Sequence, residues 1–370
     1  MNLKIEILGD VLGTTGYCSH IKSLAAELNK VADVKITTNL VPGWERMVSD
    51  SEFKMISKSF NPEDVCCVFV GLPPFWRFQN NGYKKFAGFF VWEGDRIPTA
   101  WVKYLKDDFV NLIFVPSEHT RQAILNTTSE VTDKIVVIPH GVDSEVFKPM
   151  VVERSEKFTF VCNKGFNGSD MDRGGVQFLI RAFVEEFKEG DAVLKLHFNP
   201  AYMTQETIKF LNVNANKNIQ VNWENISNEK ICEFYNSGDV FVTTQMADGF
   251  NLTGLEAMSC GLPNIQCVFG GQTDYCNNSN GWIVDEGIMV ESTEEIYKGV
   301  NWFKPSVFNI RQKLREAFET KGDGKGVLAL KTAERFSWKN SAVKITNVFY
   351  NDVLDQLESS LSDLEEGRVK

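Results

Sequence analysis

The segment at residues 247–263 combines two acidic side chains with the predicted start of a helix. It reads ADGFNLTGLEAMSCGLP and follows an apolar, strand-like run at residues 240–244. Asp248 falls in the loop, Gly249 permits unusual backbone angles, and Glu256 lies inside the helix. The free amides at a helix start favour anions. The spacing therefore predicts that two carboxylates flank an anion such as a diphosphate.

Two basic side chains flank a glycine-containing loop that follows another apolar run. Lys164 precedes and Arg173 follows this loop at residues 165–172, which comes after the run at residues 158–162. Such a loop opens at the carboxyl edge of a parallel sheet, where α/β proteins bind ligands. Two cations there can neutralise the charge that develops on a departing diphosphate. Either cation could instead belong to an exposed, purely structural loop.

Two segments of the first half also place polar groups or glycines at strand ends. Gly13 and Gly16 belong to a loop after the first predicted strand, but their spacing is not that of a GxGxxG motif, and any Rossmann-like fold needs a tight turn there. Glu93, Asp95 and Arg96 cluster after a later strand. This cluster is too dense in charge for an inert turn.

The cysteines and histidines predict no metal site. The eight Cys and four His residues lack the spacing of zinc ligands, and Cys66 and Cys67 are adjacent within an apolar run. We interpret the cysteines as reduced core thiols. His119 and His140 are possible general bases, but each belongs to a segment with a sufficient structural explanation.

Composition and charge restrict the classes of partner. The formal net charge is -10 and the pI is near 5.1, so the surface field repels nucleic acid and anionic membranes. Nucleic-acid binding is therefore unlikely on charge alone, though it is not excluded. No leader-like segment and no apolar run of the ~18 residues needed to cross a membrane is evident. We expect a cytoplasmic protein without stable membrane insertion.

Apolar runs typical of strands alternate with helix-compatible segments along the whole chain. Parallel strands need crossover connections, which are usually helices, and strands this apolar are buried on both faces. A chain of 370 residues is also too long for one core. We predict an α/β fold of two Rossmann-like domains with parallel sheets facing a central cleft, residues 1–150 and 151–336.

Several segments together resemble the family 4 (group 1) retaining glycosyltransferases. Residues 247–263 are similar to the acidic-x7-acidic motif of that family, and the strings MDRGGVQFLIRAF, VNWENISNEKICEFYNSGDVFVTT and VWEGDRIPTAWV are similar to other family segments. The resemblance extends from the glycine loop to the helix start at Phe336. It implies the GT-B fold, in which a final helix at residues 337–358 packs back on the first domain.

The resemblance also implies roles for individual residues. Asp248, which stands where the family more often has Glu, would contact the donor sugar, and Arg173 and Lys164 would face the diphosphate. Glu93 or Asp95 would replace a sugar-contacting His, with Asp95 and Arg96 on the sugar and acceptor side. The implied catalytic set is Asp248, Arg173, Lys164 and Glu93. The implied donor-binding residues are Gly16, Asn225, Ile226, Gly249, Phe250, Asn251, Leu252 and Glu256, where Glu256 would hold the ribose.

The implied reaction is transfer of a sugar from a nucleotide-diphosphate sugar to an acceptor, with retention and without a metal ion or other cofactor. The acceptor could be a glycan, a lipid-linked sugar, a protein or a modified nucleic acid. A nucleotide-sugar epimerase or phosphorylase on the same fold, or a non-catalytic nucleotide-sugar-binding module, stays open as an alternative. A dinucleotide oxidoreductase is disfavoured because the first loop lacks GxGxxG.

Overall fold

The first half of the chain forms a parallel sheet covered by helices. The computed structural model describes residues 3–13, 15–188, 190–200, 203–322 and 324–365. The strands of the first sheet are β1 Lys4–Leu8, β2 Asp33–Thr37, β3 Cys66–Val70, β4 Lys85–Phe89, β5 Leu112–Val115 and β6 Ile135–Val137. Six parallel strands lie in the order β2-β1-β3-β4-β5-β6. In the register of the sheet, Ile7 of β1 pairs with Ile36 on one side and Val68 on the other.

The helices of this half are α1 Gly16–Leu28, α2 Asp50–Ile56, α3 Val102–Leu105 and α4 Glu118–Leu125. The glycine loop leads directly into α1, whose N-cap is Thr15: its side chain accepts a hydrogen bond from the Cys18 amide. Ile21 and Leu24 recur at helical spacing and bury one face of α1 against the sheet. The cap and this apolar stripe hold the start of α1 at the carboxyl end of β1.

The second half repeats the architecture. Its sheet strands are β7 Phe158–Asn163, β8 Ala192–His197, β9 Ile219–Asn222, β10 Val240–Thr243, β11 Asn264–Cys267 and β12 Gly281–Val284. These six strands are parallel in the order β12-β11-β10-β7-β8-β9. The helices are α5 Val176–Glu186, α6 Gln205–Val213, α7 Asn228–Asn236, α8 Leu252–Ser259, α9 Val307–Thr320 and α10 Lys325–Ala333. The two parallel sheets confirm the predicted α/β fold class.

A small antiparallel hairpin, which the sequence did not predict, connects the two halves. Its strands are β13 Gly287–Glu291 and β14 Asn301–Pro305. The amide and the side-chain amide of Asn301 donate to the Asp95 carboxylate at 2.8 and 3.0 Å. The amide of Phe303 donates to the carbonyl of Met246 at 2.9 Å. The hairpin thus fixes a loop of the first half against the second half.

The final helix, α11 Trp338–Glu365, lies against α1 of the first half. Trp338, Ile345 and Phe349 are buried in the same core cluster as β1 and α1. Where the chain returns, the amide of Val142 donates to the carbonyl of Phe336 at 2.9 Å. The two chain crossings between the halves therefore run side by side.

Phe349→Ala should lower the unfolding midpoint of the full chain by roughly 6–20 °C, because deleting a buried ring costs about 3–5 kcal/mol. Phe349 has 0% of its surface exposed, whereas the adjacent Tyr350 is 41% exposed. Tyr350→Ala is therefore the matched control and should shift the midpoint far less. Equal shifts in a thermal melt followed by circular dichroism would contradict the assignment of α11 to this core.

Candidate active site

A cavity of about 710 Å³ lies between the two halves, at the carboxyl ends of both sheets. The first half contributes its glycine loop and the start of α1, including Gly13, Gly16 and Lys22. The second half contributes the loops after β7 and β10 and the start of α8. Gly13, Gly16, Lys164 and Arg173, which the sequence singled out, therefore face one cleft. Thr14 of the glycine loop lies outside the described residues.

The start of α8 is shaped by a buried asparagine. Asn251 precedes the helix in the left-handed conformation, with φ 64° and ψ 66°. Its side-chain amide donates to Thr243 Oγ1 at 3.1 Å and Gln266 Oε1 at 3.2 Å, and its carbonyl accepts from the Tyr275 hydroxyl at 2.6 Å. These bonds stabilise a backbone conformation that non-glycine residues rarely adopt. They direct Leu252, the first residue of α8, into the cavity.

Asp248 closes the loop before α8. One carboxylate oxygen accepts hydrogen bonds from the amides of Phe250 and Asn251 at 3.0 and 2.6 Å. The other accepts a hydrogen bond from the ammonium of Lys164 at 2.5 Å. Burial alone would raise the pKa of Asp248, but Lys164 and Arg173 outweigh it and lower that pKa. Asp248 is therefore a carboxylate at neutral pH, in contact with a cation that also lines the cavity.

Arg173 forms the second ion pair of the cavity, and this pair joins the two halves. Its guanidinium donates to Glu93 Oε1 at 2.5 Å, while the hydroxyl of Tyr297 donates to Glu93 Oε2 at 2.8 Å. Glu93 follows β4, whereas Arg173 and Tyr297 belong to the second half. The carbonyl of Arg173 accepts the Met246 amide at 2.8 Å, which fixes the Arg173 loop beside β10.

Glu256 lies on the first turns of α8 and lines the cavity. Its carboxylate accepts a hydrogen bond from the Tyr235 hydroxyl at 2.8 Å, and that hydroxyl accepts one from the side-chain amide of Asn163 at 2.9 Å. His197 bonds Asn163 Oδ1 through Nδ1 at 3.0 Å and the carbonyl of Glu224 through Nε2 at 3.1 Å. Burial raises the pKa of Glu256 to about 7, although the Tyr235 and Lys164 interactions oppose this shift.

The outer end of the cavity is formed by the segment before α7. Asn225 and Ile226 line it, and Asn225 is exposed while Ile226 is half-buried. Ser227 caps α7 by accepting the amide of Lys230. Because α7 begins beside the cavity, residues 224–226 all line this end of it.

Five predicted site residues occupy other surroundings. Gly249, Phe250 and Asn251 are buried and do not line the cavity; Phe250 packs against His140 and Tyr275. The Phe250 and Asn251 amides already donate to Asp248, so only later amides of the helix start face a ligand. Asp95 and Arg96 form an ion pair outside the cavity, where Asp95 also binds Asn301.

The two histidines considered as bases have structural surroundings. His119 Nε2 contacts the carbonyl of Glu93 at 3.1 Å, and burial lowers its pKa. His140 packs against His20, Trp338 and Phe250, and burial lowers its pKa to about 3. All eight Cys are buried and none forms a disulfide, and the described part of the chain contains no cluster of His, Cys, Asp and Glu that could hold a metal ion.

Three residues of the site were not predicted from the sequence. Tyr235 of α7 does not line the cavity but binds Glu256, which does. Tyr297 binds Glu93, and Lys22 lines the cavity from α1. Lys22 could have been found, because it lies within two turns of the glycine loop. The tyrosines carried no local signal, since their partners are distant in sequence.

Comparison with known proteins agrees with this geometry. Residues 165–302 match the model of the family "Glycosyl transferases group 1". A probable sucrose-phosphate synthase from Thermosipho melanesiensis is 22% identical over 240 residues, which are 62% of this chain and 51% of the relative. The chain therefore spans about half the length of that relative.

Two solved structures illustrate the similarity of fold. A glycosyltransferase from Rickettsia africae superposes with a TM-score of 0.72 at 17% identity, covering 95% of this chain and 99% of that one. Anabaena HepE in complex with UDP-glucose superposes with a TM-score of 0.69 at 13% identity, covering 94% and 100%. The architecture is thus the GT-B fold of glycosyltransferases.

The family match in the second half and the fold together support a glycosyltransferase. The predicted resemblance and the predicted fold are confirmed. No described helix is long and apolar enough to cross a bilayer. The cytoplasmic location stays a prediction.

The unfolding midpoint of the wild type, relative to that of Glu256→Gln, should fall as pH rises from about 4.5 to about 7. In this window the folded state keeps a proton on Glu256 that the unfolded chain has lost, so raising the pH favours unfolding. Glu316→Gln, at an exposed position of α9, should leave the wild-type pH dependence intact. Thermal melts across this range that are parallel for wild type and Glu256→Gln would contradict the raised pKa.

Proposed function

We propose that the chain transfers a sugar from a nucleotide-diphosphate sugar to an acceptor hydroxyl, with retention of anomeric configuration and without a metal ion. The observation that carries this proposal is that Lys164, Asp248 and Arg173 line one cavity, where Lys164 pairs with Asp248. Arg173 is held there by Glu93 of the first half. Its volume of about 710 Å³ is in the range of sites for cofactor-sized ligands.

The lining residues suggest one orientation for the donor. The diphosphate lies at the start of α8 between Lys164 and Arg173, because cations and free helix amides favour phosphate. Glu256 accepts hydrogen bonds from the ribose hydroxyls, and the backbone of residues 224–226 reads the base. The sugar then lies beside Asp248. UDP-glucose is the first donor to test, since the HepE structure contains it.

In the proposed reaction the bond between the anomeric carbon and the diphosphate oxygen breaks, and its electron pair stays on that oxygen. Lys164 and Arg173 stabilise the negative charge that develops there, which is the role a metal ion would otherwise have. The ionised Asp248 stabilises positive charge on the sugar ring. The acceptor hydroxyl forms the new bond on the face that the diphosphate leaves, and its proton passes to a phosphate oxygen.

Glu93 acts in this scheme as a positioning residue. Its carboxylate holds both Arg173 and the hydroxyl of Tyr297, so the guanidinium is fixed toward the cavity before the donor binds. A neutral histidine at this place would offer one ring nitrogen as acceptor, whereas the carboxylate has two oxygens. The glutamate therefore holds the guanidinium and the hydroxyl at the same time.

Lys164→Ala and Arg173→Ala should each weaken the affinity for UDP, or for whichever nucleoside diphosphate the protein prefers, by about 10- to 100-fold. The reason is that a hydrogen bond to a charged group contributes about 1.5–3 kcal/mol. Arg181→Ala is the matched control, because Arg181 pairs with Asp170 on the surface outside the cavity. Isothermal titration calorimetry against UDP, GDP and ADP, with EDTA present throughout, measures the effect.

Slow release of sugar from the bound donor, with EDTA present, is the second readout. Both alanine variants should lose this hydrolysis, while Arg181→Ala keeps it. Nucleotide affinity that is unchanged in both variants would refute the diphosphate assignment. A requirement for added Mg²⁺ or Mn²⁺ would refute the metal-independent part alone.

A further inference from the structure

A second cavity, of about 720 Å³, lies at the carboxyl ends of β1, β2 and β3 in the first half. It meets the first cavity at Tyr297 and Thr15, which line both. Glu93 lines the second cavity while its partner Arg173 lines the first. A ligand in the second cavity therefore reaches the ion pair beside the proposed diphosphate position.

We propose that this cavity binds the acceptor, and that the acceptor is an uncharged sugar stacked on Phe75 and Phe78. This inference rests on the transfer reaction proposed above. It adds the chemical class of the acceptor and the residues that select it.

The aromatic platform is built by a rigid segment. Residues Pro73–Gln79 form a 3-10 helix with a proline at its start. Trp76 is fully buried beneath it, and its indole donates to the carbonyl of Gly71 at 3.0 Å. A Cβ at Gly88 would meet the Trp76 ring at 2.3 Å, so the glycine makes room for this anchor. The anchor fixes the segment that carries Phe75 and Phe78.

The two phenylalanines remain exposed although the segment is anchored. Phe75 is 55% and Phe78 is 64% exposed, and both line the cavity. Large aromatic side chains contribute most to stability when buried, so two of them at the edge of a cleft indicate a binding role. Sugar rings present apolar C–H faces that cover such rings.

The charge of the lining argues against a phosphorylated acceptor. Among the described residues that line this cavity there is no Lys, Arg or His, whereas Asp10 and Glu93 both contribute carboxylates. The nearby cation Arg77 stacks on the Phe78 ring at 4.8 Å and does not line the cavity. A phosphate group would lose its hydration without gaining an ionic partner.

The polar groups of the lining fit the edges of a sugar. Thr37, Thr38, Asn39 and Gln79 place hydroxyl and amide groups around the aromatic surface. These groups can donate hydrogen bonds to sugar hydroxyls and accept hydrogen bonds from them. Thr37 already donates to Glu6 and Thr38 accepts from the Val11 amide, but an aliphatic chain would take the side-chain amides of Asn39 and Gln79 out of water without offering a partner. The lining therefore favours a polyhydroxylated ring over a lipid tail.

A glycan array tests the inference. The full chain, saturated with UDP, is applied to an array that contains neutral oligosaccharides and their phosphorylated counterparts. We expect neutral glycans to bind in preference to the phosphorylated ones. Phe75→Ala and Phe78→Ala should each weaken that binding by a few-fold to about tenfold, as expected for loss of one stacked ring. Phe78→Tyr should retain it, because the ring is kept.

Phe308→Ala is the matched control, since Phe308 is 59% exposed on α9 and lines neither cavity. It should bind glycans as the wild type does. A preference for phosphorylated glycans, neutral binding unaffected by both alanine variants, or no glycan binding at all would each overturn the inference. Donor hydrolysis tests the transfer reaction separately from the acceptor assignment. If hydrolysis persists in Phe75→Ala, the transfer reaction stands even when the acceptor assignment fails.

Discussion

The Glu93–Arg173 ion pair is the interaction on which the arrangement of the site depends. It joins a loop of the first sheet to a loop of the second, across the cleft that both cavities share. The pair is only partly exposed, with 39% of the Arg173 side chain and 13% of the Glu93 side chain accessible. Reduced solvent screening makes such a pair stronger than one on the open surface.

Neighbouring contacts fix the same boundary at other points. Asp95 binds Asn301 of the hairpin, and the hydroxyl of Ser117 donates to the carbonyl of Gly249 at 2.8 Å. A Cβ at Gly94 would meet Val300 at 1.9 Å, so the two halves approach as closely as a glycine permits. Asp95 and Arg96 thus have a structural role at the boundary, two and three positions after Glu93, which lines the second cavity.

The sequence predicted the parts of this structure that depend on local patterns. Continuous apolar runs predicted strands alternating with helices in both halves, although they did not predict β12, and the segment at residues 247–263 predicted the start of α8. The hairpin β13–β14 was missed because most residues of β13 are exposed and show no apolar run. Asp95 could not be separated from Glu93 by sequence, because its partner Asn301 is distant in the chain.

The two cavities differ in the charge of their lining residues, and this difference indicates which ligand of the proposed reaction each cavity binds. Among the described residues, Lys and Arg side chains line only the first of them, so a diphosphate is favoured there, whereas Asp10 and Glu93 would oppose it in the second. In a protein with net charge -10, Lys22, Lys164 and Arg173 thus line the cavity in which the proposed leaving group gains charge. When the leaving group gains charge, the Glu93–Arg173 pair is already oriented, and little reorganisation is needed. The acceptor side remains free of cations that would compete for the diphosphate.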